Sequence, residues 1–116
     1  MNILHLTLNR KWYDMLLSGE KTEEYRELKP YWQSRLCNSY LKVANGCKHI
    51  NCDACQWNNF KKFDIIHFYN GGSPSLKYPN FQIEFKGIKV DYGIEKWGAE
   101  PNKKYFILKL GKIIKT

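Results

Sequence analysis

A chain of 116 residues with 43% hydrophobic residues can build one modest core but not two, which excludes a multidomain or disordered protein. Its 19 Lys and Arg against 11 Asp and Glu leave a net charge of +8, which favours polyanionic partners through phosphate contacts and counterion release. No apolar run approaches the length of a membrane span, and the N-terminus lacks the basic-then-apolar order of a signal peptide. A cytoplasmic protein with no membrane partner is the expectation.

Ile3, Leu4, Leu6 and Leu8 predict a first strand over Asn2 to Leu8, with His5 and Thr7 between them. His5 reads as a partly buried strand residue, because no metal-spaced partner lies near it. Asn9 is the expected N-cap of a helix from about Arg10 to Ser18. Trp12, Met15 and Leu16 fall at i, i+3 and i+4, which predicts one buried stripe and a core position for Trp12. Gly19 stands where a helix C-cap favours a residue tolerant of positive φ.

A charged strand follows over Thr22 to Leu28, with Glu24 and Arg26 on one face and Tyr25 on the other. Lys21 lies in or beside the preceding turn, so strand parity does not set its direction. These charges are either a solvated surface run or a cluster that grips a polar ligand. Pro30 opens a second helix at its first turn. Tyr31, Trp32, Arg35 and Leu36 line that helix. Arg35 is four residues after Tyr31 and can reach back towards the charged strand, although an ordinary exposed arginine fits as well.

From about residue 37 to 59 the chain turns polar, holding every cysteine (Cys37, Cys47, Cys52, Cys55) together with His49. Cys52-Asp53-Ala54-Cys55 is a CxxC knuckle, and two of Cys37, Cys47 and His49 would complete a structural zinc site. Free thiols in a surface loop are the plain alternative. Disulfides do not suit a cytosolic chain. No cofactor beyond this zinc is expected.

Phe63 to Tyr69 predicts another strand, ended by Asn70-Gly71-Gly72 in a turn suited to positive φ. His67 reads as satisfied within the sheet. Phe81 to Val90 continues as a strand in which Gly87 breaks the alternation as a bulge does, and Lys104 to Leu110 is the last clear one, with Ile113 and Ile114 pairing briefly afterwards. Strands outnumber helices without the strand–helix alternation of a parallel sheet, so an α+β class with a small mixed barrel and two helices is expected.

Gly19, Lys21, Glu24 and Arg26 together spell Gly-x-Lys-x-x-Glu-x-Arg. That signature resembles the ASCH domain family, especially its short bacterial and phage-type members. Further likeness lies in Trp12 to Ser18, Lys29-Pro30-Tyr31-Trp32 with Arg35, Phe63 to Ile66, Asn70-Gly71, and Trp97 to Pro101 onwards to Leu110-Gly111. It covers nearly the whole chain apart from the cysteine-bearing insert, so residues 1–116 read as one domain. The resemblance implies a PUA-like β-barrel in which Lys21, Glu24 and Arg26 gather in a cleft. It also implies that the segment around Asn70 and Gly71 borders that cleft.

Two functions follow. In a binding module for single-stranded or modified RNA, or a nucleoside, Lys21 and Arg26 hold phosphate or a base edge while Glu24 accepts from an exocyclic amine. Aromatic residues at 16%, including eight Tyr and four Trp, leave rings for stacking on bases. The alternative is a small amidohydrolase acting on N-acylated cytidine, an activity of one branch of the family, with Lys21 as general base. In that branch a threonine nucleophile occupies the position of Glu24, so this chain lacks it in register, although Thr22 supplies a hydroxyl nearby. The later acid of that branch maps equally to Glu95 or Glu100. Glu24 in place of the nucleophile favours binding over hydrolysis.

Overall fold

Asn9 and Gly19 bracket the first helix through their own chemistry. The Asn9 side chain accepts from the Trp12 N–H at 3.2 Å, and Gly19 closes the helix at φ 86°, in the left-handed region. The computed structural model describes residues 1–37 and 60–115. In chain order these form β1 (Ile3–Leu8), α1 (Arg10–Ser18), β2 (Glu23–Glu27), α2 (Pro30–Leu36), β3 (Ile65–Asn70), β4 (Asn80–Tyr92) and β5 (Lys104–Lys115). A single 3-10 turn, Glu95–Trp97, lies between β4 and β5. The class is α+β. One mixed five-stranded sheet runs β1-β3-β4-β5-β2, with β1 parallel to β3 and β3 antiparallel to β4. Among the described residues no helix is long and apolar enough to cross a membrane.

The chain divides into two units. The first comprises Met1–Glu24, Lys62–Gly87 and Leu108–Thr116. Its core grows from strand alternation: Leu4 and Leu6 pair in register with Ile66 and Phe68, which in turn face Ile83 and Phe81. Each such side chain, taken fully out of water, contributes about 1.5–3 kcal/mol. From α1, Tyr13 and Leu16 are buried, and the Tyr13 ring meets Phe81 edge-on at 5.0 Å. Trp12 is only half-buried, which corrects its expected core position. Tyr13 with Leu16 also satisfies an i, i+3 stripe, and that stripe is the one turned to the sheet.

On the opposite face of the same strands, His5, His67 and Gln82 stand in register. The Asn80 amide donates from Nδ2 to the Tyr78 carbonyl, so its Oδ1 accepts from His67 Nε2 at 2.9 Å. Gln82 Nε2 donates to His67 Nδ1 at 3.4 Å. His67 is thus satisfied within the sheet as expected. His5 is exposed rather than partly buried, because β1 ends the sheet; its Nδ1 pairs with the Tyr69 hydroxyl at 2.9 Å.

The second unit comprises Tyr25–Lys61 and Ile88–Ile107. Tyr25 packs against Ala99, Tyr105 and Ile107, and its hydroxyl accepts from the Ile94 N–H at 2.9 Å. Gly93 permits this approach, since a Cβ there would stand 2.8 Å from the Tyr25 ring. Pro30 starts α2, whose Gln33 and Leu36 are buried. Two strands outrun their expected ends. β4 runs past Val90 to Tyr92, with Gly87 at φ 143° inside it, and β5 continues past Leu110 to Lys115. Gly111 lies within β5, and the Glu84 carboxylate reaches close to it, with Oε1 2.2 Å from where a Cβ would stand.

Candidate functional site

The end of α1 sets the first part of the signature. Ser18 Oγ and the Lys21 N–H both donate to the Met15 carbonyl, at 3.1 and 3.0 Å, tying the turn back onto the helix. The Leu110 N–H donates to the Thr22 carbonyl at 3.1 Å, joining the following residue to β5. So anchored, Lys21 turns inward. Its Nζ donates to Glu24 Oε1, and the two side chains are only 1% and 6% exposed. The ammonium also lies 4.9 Å from the centre of the Trp12 ring, over which Lys11 sits at 4.7 Å.

Burying two opposite charges costs several kcal/mol per ion before their attraction is counted, and a well-packed apolar pair usually serves the fold as well or better. Lys21 and Thr22 line a pocket of about 300 Å³, with Leu16, Ile83, Gly111 and Lys112 among its other walls. That volume is at the small end of ligand pockets. Beside it, Glu84 accepts from the Lys112 N–H at 3.3 Å. This bond, then the Lys86 ammonium, holds the Glu84 carboxyl below its usual range.

Arg26 belongs to the second unit, and its guanidinium lies over the Trp32 ring, with Cζ 4.9 Å from the centroid. Arg35 shares that ring at 5.4 Å, and its Nη1 donates to the Tyr31 hydroxyl at 3.2 Å. Tyr31 meets Trp32 edge-on at 4.9 Å yet remains 59% exposed. In the first unit Lys21 meets Glu24, and in the second Arg26 and Arg35 share the Trp32 ring.

The remaining candidates take other places. Asn70 ends β3 with its N–H already given to the Pro79 carbonyl at 2.9 Å. Gly71 is demanded by a close approach, since a Cβ there would stand 2.4 Å from the Tyr78 ring. Neither Gly71 nor Gly72 is among the positive-φ glycines, which corrects the expected turn geometry. Glu95 is exposed in the 3-10 turn, and Glu100 pairs with Lys103 at 3.0 Å. Cys47, Cys52, Cys55 and His49 lie outside the described residues. Cys37 is buried, and burial pushes its thiol up to about 11. Among the described residues no three His, Cys, Asp or Glu side chains group to hold a metal.

Reading the sequence overlooked Trp12 and Trp32 as seats for cations, and the roles of Gly111 and Lys112 at the pocket. Arg35, three residues after Trp32 on the same helix, was the signal for Trp32, and for Trp12 the local cue was the adjacent Lys11. Nothing local signals the others, which depend on β5 lying beside α1's end. No family model, curated protein or solved structure matches this chain.

Proposed function

We propose that this chain is an ASCH-type, PUA-like domain that binds single-stranded or modified RNA, or a nucleoside drawn from it. The observation that carries the reading is the buried Lys21–Glu24 pair, whose lysine lines a small pocket. Such a pair is poorly explained by stability alone, and charged groups held in a recess are suited to read donors and acceptors on a base edge. A net charge of +8 supplies the phosphate attraction. Glu24 engages the lysine where the related hydrolase branch carries its nucleophile, so an acceptor replaces an attacking hydroxyl. This supports binding over cleavage of an N-acylated cytidine.

The test is equilibrium binding of a fluorescent twelve-nucleotide single-stranded RNA across a salt series, with acetate release from N-acetylcytidine followed in parallel. Affinity should fall steeply with salt, and Arg26→Ala should weaken binding more at low salt than at high. Acetate release that depends on Lys21, with no RNA affinity at low salt, would replace the binding reading with the hydrolase.

A further inference from the structure

α2 carries an arrangement that the signature does not account for. Tyr31 is 59% exposed, yet its ring is held on two sides: Trp32 meets it edge-on at 4.9 Å, and Arg35 donates to its hydroxyl at 3.2 Å. The Arg35 guanidinium also sits 5.7 Å from the Tyr31 centroid. A large aromatic ring left in water but fixed in direction loses little further freedom when a second flat group stacks on it. Trp32, on the same turn, carries the guanidinium groups of both Arg26 and Arg35. Planar forks of this kind bind phosphate oxygens in pairs and remain charged at any working pH.

A stacking ring joined to two phosphate-binding forks matches the repeat of a single strand, in which bases and phosphates alternate. We infer, on the RNA-binding reading above, that α2 is a strand-binding subsite. An unpaired base stacks on Tyr31, and the adjoining phosphodiester meets Arg35 and Arg26. The ligand is then a polynucleotide strand, not a free nucleoside. Duplex RNA is disfavoured, because its bases already stack on one another and cannot reach the ring.

Stacking and phosphate contacts separate experimentally. The full chain, Tyr31→Phe and Tyr31→Ala are titrated with a twelve-nucleotide oligouridine, an abasic sugar–phosphate oligomer of equal length, and polyglutamate. Tyr31→Ala should lose about tenfold in affinity for oligouridine, Tyr31→Phe should lose little, and all three proteins should bind the abasic oligomer alike. Equal oligouridine binding by Tyr31→Ala and the parent chain would overturn the subsite while leaving RNA binding intact. Equal losses on the abasic oligomer would show a phosphate or structural role and would also overturn it. A parent chain that binds no oligouridine ends both readings, and polyglutamate binding with the same Tyr31 dependence would reassign the surface to an acidic protein.

Discussion

Trp12 in the first unit carries Lys11 and Lys21; Trp32 in the second carries Arg26 and Arg35. Their surroundings differ in one respect that decides their chemistry. Lys21 is buried and has Glu24 as its counter-charge, whereas the two arginines share an indole beside an exposed tyrosine. An ammonium is a compact, strongly hydrated point charge, so removing it from water demands a carboxylate. A guanidinium is flat and weakly hydrated, so an aromatic face can satisfy much of it while its N–H edge stays available. One signature thus contains a cation held by a carboxylate and a cation held on an aromatic face.

The sharpest way to break this contrast is to remove one member of each pair and measure unfolding in urea. Glu24→Ala leaves Lys21 buried without its carboxylate and should cost about 3–5 kcal/mol. A loss under 1 kcal/mol would mean that the lysine finds water, and the first region would then resemble the second. Arg26→Ala removes one cation from Trp32 and should cost only about 0.5–1 kcal/mol, since the rest of α2's packing remains. A loss as large as that of Glu24→Ala would mean that Arg26 is held as firmly by its surroundings as Lys21 is.

Much of the fold was legible in local chemistry. Asn9 and Gly19 bound α1 at the expected residues because capping depends on one side chain and one φ angle. Pro30 likewise starts α2. Where the reading fell short, a distant neighbour decided. The last strand reads as ending at Leu110, but β5 runs on through Gly111 to Lys115, beside Glu84 of the neighbouring β4. Trp12 satisfied a helical stripe that Tyr13 and Leu16 satisfied too, and the position of Phe81 settled which face turned inward.

The site shows the same division. Glu24 and Arg26 share a strand face by parity, yet parity does not name their partners. Lys21 pairs with Glu24 because hydrogen bonds to Met15 hold its turn, and Arg26 takes Trp32 because α2 begins at Pro30. Gly71, read as a turn residue suited to positive φ, stands in the bend after β3 without positive φ, and the ring of Tyr78 requires a glycine there.

The central claim is that the buried Lys21–Glu24 pair serves ligand recognition and not the fold. Replacing both charges with apolar side chains of similar size, Lys21→Met with Glu24→Leu, tests it most directly, with urea stability and oligouridine affinity measured on the same protein. The account predicts a folded variant whose stability is unchanged or raised by about 1–4 kcal/mol, and whose affinity falls by more than about tenfold. A variant that binds like the parent, or one that loses stability along with binding, would contradict it.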